Sequence, residues 1–141
     1  MQLTKHTDIS LRVMIHLALN SGERATIKEI AEIYNVSQNH LVKVVHELVT
    51  FGFIGSSKGR GGGIFLVRPA NKIIVGDIVR SMEQTLKIVD CVGTECPLTP
   101  SCRLEKAFNE ATKAFLKVLD GYTVADLVKN KSQLLKLVNI A

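Results

Sequence analysis

Apolar residues recur at helical spacing over most of the chain, and three blocks of that pattern precede the first stretch that departs from it. Ile9, Val13 and Leu17 follow at four-residue intervals, with Thr7 or Asp8 as start signal and Gly22 as stop, which predicts a first helix with Asp8 in its opening turn. A carboxylate there caps the helix or complements its dipole. Thr26-Ile-Lys-Glu29 has the form of a capping box, and Ile27, Ile30, Ala31 and Tyr34 then make a short amphipathic helix ending at Asn35. After a brief break Ser37 caps a third helix, whose stripe Leu41, Val44, Val45, Leu48 and Val49 keeps the spacing of a core-facing surface. The opposite side carries Asn39, Lys43, His46 and Thr50, with Gln38 and His40 at the N-terminal end. Amides and bases therefore lie where a recognition helix meets base edges and phosphates.

The period then shortens. Phe53-Ile54 and Ile64-Phe-Leu-Val67 read as two short strands joined by Gly55-Ser-Ser-Lys-Gly-Arg-Gly-Gly-Gly63, a wing. Its glycines allow a tight turn and close approach to a sugar-phosphate backbone, and Lys58 and Arg60 near the tip supply contacts whose strength falls with salt. A nucleotide-binding loop is excluded, because no Gly-x4-Gly-Lys-Ser/Thr pattern is present and no helix begins straight after the loop. Arg68-Pro-Ala-Asn71 closes the wing, and Ile74 to Met82 reads as a short helix with Ile78, Val79 and Met82 on one side.

Beyond Cys102, the residues Leu104, Ala107, Phe108, Ala111, Phe115, Val118 and Leu119 lay an apolar stripe along a helix of about five turns that Gly121 terminates. Packing within one subunit and pairing with a second copy both cover such a stripe. In a chain this small the second is the economical choice, and it gives a two-fold dimer that matches a palindromic operator. Thr123-Val-Ala-Asp126 then caps a terminal helix carrying Val124, Leu127 and Val128, and residues 132–141 continue as helix with Leu134, Leu135 and Val138 packing back. The expected fold is mainly α: a winged helix-turn-helix with a small β-hairpin wing and a long C-terminal dimerisation helix. Residues 1–76 form the DNA-binding region, and 77–141 the cysteine loop and dimerisation helices.

Charge sharpens the picture. The 141 residues carry a net charge of +5, a weak hint by itself, but between Ile33 and Gly76 the only acid is Glu47, against Lys43, Lys58, Arg60, Arg68 and Lys72. No apolar run approaches the ~18 to 20 residues of a membrane span. No basic start with an apolar core and small-residue cleavage site is present, so a cytoplasmic protein is expected, in a compartment that keeps thiols reduced. No nucleophile-base constellation marks an enzyme, and His6, His16, His40 and His46 read as helix-surface or DNA-facing residues.

All three cysteines fall in Cys91-Val-Gly-Thr-Glu-Cys96-Pro-Leu-Thr-Pro-Ser-Cys102, a loop stiffened by Pro97 and Pro100. Thiols so spaced can converge on one soft metal centre. The plain alternative is unliganded thiols, or a disulfide with one cysteine over. Structural zinc is a nearer rival, but the gaps are wider than in zinc hairpins and no histidine follows His46. An iron-sulfur cluster with a fourth, non-cysteine ligand fits better.

The opening Met-Gln-Leu-Thr with Asp8 and Leu11-Arg12, Val36-Ser-Gln-Asn-His-Leu-Val-Lys43, Gly59-Arg-Gly-Gly-Gly-Ile64, Gly76-Asp-Ile-Val79, the three cysteines and Tyr122-Thr-Val-Ala-Asp-Leu127 complete the pattern. Over essentially its whole length the chain resembles the Rrf-type winged-helix regulators, and within them the NsrR-type repressors that sense nitric oxide. The resemblance implies that Cys91, Cys96 and Cys102 hold an iron-sulfur cluster and that Asp8, from the other subunit of a homodimer, is the fourth ligand. A carboxylate is a weak ligand that leaves one iron open to a small diatomic molecule. Arg12, one turn after Asp8, would orient or neutralise it. Related sensors of cluster supply carry a histidine shortly after the third cysteine, where this chain has Glu105, which favours the nitric oxide role. A 4Fe-4S cluster is favoured, with 2Fe-2S the alternative.

The implied function is repression of nitric oxide detoxification genes by a homodimer on double-stranded palindromic operator DNA, released when nitric oxide attacks the cluster. Gln38, Asn39, His40 and Lys43 would meet bases or phosphates, and Lys58 and Arg60 the backbone or minor groove, with Lys28 and Ser37 alongside. Two rivals stand beside it. One is a cluster-free thiol-based redox regulator using the same cysteines. The other is a small iron-sulfur electron carrier, although such carriers generally use more cysteines and need no basic wing.

Overall fold

Thr4, three residues before the expected start, begins the first helix, α1 (Lys5–Leu19), where its Oγ1 accepts the Thr7 N–H at 3.3 Å. The Thr7 side chain is fully buried and donates to Glu83 Oε2 at 2.5 Å, so its hydroxyl serves a residue distant in sequence and Thr4 supplies the cap. The computed structural model describes residues 1–20, 22–91, 93, 95–99 and 101–138. In α2 (Ile27–Tyr34) both capping-box bonds between Thr26 and Glu29 are present, and Asn35 ends the helix in the left-handed conformation at φ 50°. Ser37 caps α3 (Gln38–Thr50) by accepting the His40 N–H at 3.2 Å. Leu41, Val44, Val45 and Leu48 are buried as expected, but Val49 is 37% exposed. Eight residues at ~100° each rotate Val49 by ~80° from Leu41, onto the edge of the stripe.

The wing pairs β1 (Ile54–Ser57) with β2 (Gly63–Leu66), antiparallel, from Ile54 opposite Leu66 to Ser57 opposite Gly63. The first strand thus includes Gly55, Ser56 and Ser57, which the sequence assigned to the loop. Gly55 pairs with Phe65 in that register, and the Phe65 ring lies across it: a Cβ there would stand 2.6 Å from Phe65 Cζ. The Arg24 guanidinium covers the same ring at 5.0 Å and donates to Ser57 Oγ, while Ala25 exchanges backbone hydrogen bonds with Ile64. These contacts join the lead into α2 to the hairpin.

The remaining helices are α4 (Val75–Met82), α5 (Arg103–Asp120) and α6 (Lys131–Val138). Thr123 and Asp126 bond reciprocally, with Asp126 Oδ2 accepting from Thr123 N and Oγ1 at 2.8 Å. They open only a short 3-10 turn, Asp126–Val128, not the expected terminal helix. Of the helix expected over 132–141, the last three residues lie outside the described residues. Gly121 caps α5 at φ −78°, so no left-handed turn is used there.

One core binds α1, α3, the hairpin and α4: Ile9, Val13, Met14 and Leu17 pack with Leu41, Val44, Leu48, Ile54, Ile64, Ile78 and Val124. Each such side chain contributes ~1.5 to 3 kcal/mol by leaving water. His16 corrects the surface reading of the histidines, since it is 3% exposed and accepts from Asn20 Nδ2 at 2.9 Å with its ring edge-on to Tyr34. By contrast α5 buries no residue, and Leu104 and Val118 are 58% and 62% exposed. Arg80 on α4 holds the end of α5 through paired bonds to Asp120 at 2.6 and 2.7 Å. Among the described residues no helix is long and apolar enough to cross a membrane.

Candidate nucleic-acid interface and metal centre

The core face of α3 fixes what its other side presents. Gln38, Asn39, Lys43 and His46 are exposed there, as are Lys28 on α2 and Lys58 and Arg60 at the wing tip. His40 is only half-exposed, because its ring stacks on His6 of α1 at 5.7 Å. His6 Nε2 also meets Glu47 Oε2 at 2.9 Å. The one acid in the basic span is therefore engaged with α1. His6 and Glu47 are 41 residues apart, and no local pattern connects them. Ser37 uses an oxygen lone pair on the His40 N–H, which leaves its hydroxyl proton available to an acceptor. Arg24, unremarked in the sequence, proves to be a strut of the wing.

The first turn of α1 is tied to the root of the cysteine loop. Glu83, just past α4, accepts from Thr4 N at 3.1 Å as well as from the Thr4 and Thr7 hydroxyls. Asp8, one turn along, pairs with Arg12 at 2.8 Å, as the spacing allowed. Both side chains are about half exposed, so this pair contributes little stability and leaves the carboxylate accessible.

Cys91, Cys96 and Cys102 are half-buried thiols. A tight turn follows Cys96, with Thr99 N donating to the Cys96 carbonyl at 3.2 Å, and Cys102 precedes α5. The stiffening assigned to Pro100 lies outside the described residues; Pro97 is within them. Burial pushes the Cys91 thiol above its ordinary value, and Glu105, Cys102, Cys96 and Asp90 push it the same way. Negative charge is thus disfavoured at Cys91, and a soft cation bound there would reverse the balance. Three thiols beside a carboxylate fit such an ion in donor chemistry. Among the described residues, however, no three His, Cys, Asp or Glu side chains are gathered closely enough to hold a metal, so one chain presents no assembled coordination set and Asp8 completes none.

Residues 3–130 match the family model described as Rrf2, iron-dependent transcriptional regulator. Among solved structures, the chain is similar to CymR (YrzC), the global cysteine regulator of B. subtilis, at 28% identity over 92% of this chain and 98% of that one, with a TM-score of 0.75. It is similar to T. potens IscR at 27% identity, over 92% and 88% of the two chains, with a TM-score of 0.72. The oxidized form of Staphylococcus aureus CymR matches at 30% identity, over 92% and 97%, with a TM-score of 0.73.

Proposed function

The chain belongs to the Rrf2 family of iron-dependent transcriptional regulators, and on that premise we propose that it is a homodimeric repressor whose cysteine loop holds an iron-sulfur cluster and which releases its operator on exposure to nitric oxide. Members of the family are transcriptional regulators, not enzymes; they bind DNA and are typically dimeric. The observation that carries the finer reading is the tie between Glu83, at the root of the loop that holds all three cysteines, and the first turn of α1, which carries Asp8. When bound, the cluster would supply soft iron with one weakly held position open to a diatomic ligand. The residues for it are Cys91, Cys96 and Cys102, with Asp8 of a second copy as the fourth ligand. Glu105, standing where related sensors of cluster supply have a histidine, favours nitric oxide as the signal.

The chain's own residues supply the coupling. From its Thr4 cap to Arg12, α1 carries Asp8, its orienting partner Arg12, the Thr4 and Thr7 bonds to Glu83, and the His6 contacts with Glu47 and His40 of α3. A shift of that segment reaches both the root of the cysteine loop and the reading helix. On α3 and beside it, Ser37, Gln38, Asn39, His40 and Lys43 face bases or phosphates, and Lys28, Lys58 and Arg60 the backbone. A coupling of ~1 to 3 kcal/mol changes affinity by about 5- to 150-fold, enough for derepression.

A second reading, a thiol switch without a cluster, is favoured by the 30% identity to S. aureus CymR, solved in an oxidized form. One experiment separates the two. Protein purified anaerobically is assayed for visible absorption, iron and sulfide, then titrated with nitric oxide while operator retardation is followed. A brown chromophore that bleaches in step with loss of retardation supports the cluster reading. Colourless protein that fails to take up iron and sulfide, yet loses DNA on oxidation, establishes the thiol switch instead. Asp8→Ala should alter the chromophore and its nitric oxide response; an unchanged spectrum and sensitivity would remove Asp8 as the ligand.

A further inference from the structure

The exposed side of α3 is not uniformly polar. Val42 is 50% exposed and, with His46 and Val49, forms a stripe at helical spacing that faces the wing. Between that stripe and the hairpin runs an open groove of about 530 Å³, with Ser56, Ser57 and Gly62 on the wing side. Lys43 lies beside Val42, and Lys58 and Arg60 stand exposed at the hairpin tip. A half-exposed apolar side chain in the N-terminal half of a reading helix gains nothing from water, and it lies where such helices meet base edges.

We propose that this groove seats one strand of duplex DNA and that Val42 reads a thymine through its 5-methyl group. The inference rests on the DNA-binding reading above and adds a base-specific contact to it. Charge complementarity selects the occupant: the exposed Lys43 adjoins the lining residue Val42 in sequence, and the exposed Lys58 and Arg60 stand on either side of the lining residue Gly59, suiting a phosphate strand and not a basic or apolar protein segment. Base chemistry selects the contact. Val42 can neither donate nor accept, and in the major groove only thymine among the natural bases offers a methyl group. A cytosine or guanine there would bury a polar edge against an isopropyl group. The remaining recognition residues, Gln38, Asn39 and Lys43, would read donors and acceptors at neighbouring pairs.

The test uses the full chain, anaerobically purified, both iron-loaded and iron-free. Duplexes retained from a random library define the bound sequence, and each thymine is then replaced singly by deoxyuridine, which removes only the methyl group. At one thymine per half-site, deoxyuridine should weaken wild-type binding about fourfold, the factor equivalent to ~0.8 kcal/mol for one buried methyl-sized group. Val42→Ala should bind thymine and deoxyuridine equally at that position and keep every other preference. Val42→Gln should shift the base selected there. Because Val42 is exposed, neither variant should melt differently from wild type. Retained duplexes with no methyl-sensitive thymine, or with the same sensitivity in Val42→Ala, overturn the assignment while leaving the regulator reading intact. Failure of both protein forms to retain any duplex overturns the regulator reading with it.

Discussion

On the proposed reading Ser37 joins the stability of the reading helix to its contact with DNA, and two substitutions separate those roles. Its Oγ accepts the His40 N–H at 3.2 Å, and α3 has no acid in its first turn to provide a substitute cap. Ser37→Ala therefore leaves a helix N-terminus uncapped, a loss of ~1 kcal/mol within the usual range of about 0.5 to 2. For 141 residues the unfolding entropy is roughly 0.3 kcal/mol/K, so the melting temperature should fall by ~3 °C. Ser37→Asp keeps an acceptor and places negative charge on the positive end of the helix, worth about 0.3 to 1 kcal/mol in the opposite direction. Its melting temperature should equal or exceed that of the wild type. Its affinity for operator DNA should nevertheless drop well below that of Ser37→Ala, because the new charge faces phosphate. Thermal melting by circular dichroism at one fixed protein concentration and a retardation titration at one salt concentration measure the pair, since dimer melting depends on concentration. If Ser37→Asp melts as low as Ser37→Ala, the capping argument fails. If it binds operator like wild type, this end of α3 does not face the DNA.

Burial holds His16 below its ordinary value, outweighing the opposing pull of Glu29, so the unfolded chain binds a proton that the folded chain refuses. Stability should then be full above about pH 6.5 and decline as pH falls from there toward the folded-state value. In urea melts between pH 7.5 and 5.5 the decline should be shallower for His16→Leu; parallel curves would remove His16 as its cause. Lys58→Ala should lower the salt slope of operator binding by ~1 with no change in sequence preference, and an unaltered slope would remove Lys58 from the backbone contacts. A Cβ on Gly76 would stand 2.0 Å from Asp120 Oδ1, so Gly76→Ala must displace the carboxylate that Arg80 holds. Asp120→Ala should loosen α5 in the wild-type background, read as faster proteolysis near Gly121, and do nothing further in Gly76→Ala; additive effects would refute the shared contact.

What was legible in the chain was local. Thr26 with Glu29 and Ser37 before Leu41 announce their helices because a cap and an apolar repeat lie within a few residues of each other. The wing was recognisable from its glycines, but its register was not: Gly55 pairs with Phe65 and lies under its ring, a cross-strand contact that composition does not encode. α1 starts earlier than the pattern suggests because Thr4 supplies the cap, while the hydroxyl of Thr7, the expected cap, is bonded to Glu83, 76 residues away. His16 could have been found, because it adjoins Leu17 and follows Val13 by three positions on the buried stripe. Grouping of the cysteines was plain, whereas their geometry depends on a loop whose neighbours come from several elements and, on the proposed reading, from a second copy.

That dependence on a second copy has a structural basis in α5. An 18-residue helix that buries none of its residues, with Leu104 and Val118 largely exposed, presents apolar side chains that the other described residues leave uncovered. Family members are typically dimeric, and pairing through α5 would cover that face. The helix is held at its far end by Arg80 and Asp120, but Cys102 at its near end makes no side-chain cap. Its first backbone N–H groups therefore receive no bond from a Cys102 side-chain cap. Cys102, the residue that precedes α5, is thus also the last candidate ligand of the loop. On the proposed reading, with α5 as the pairing helix, a change in the bonding of Cys102 would act on the first turn of that helix and so add a second route, beside the one through α1, from the cysteine loop to the spacing of two reading helices.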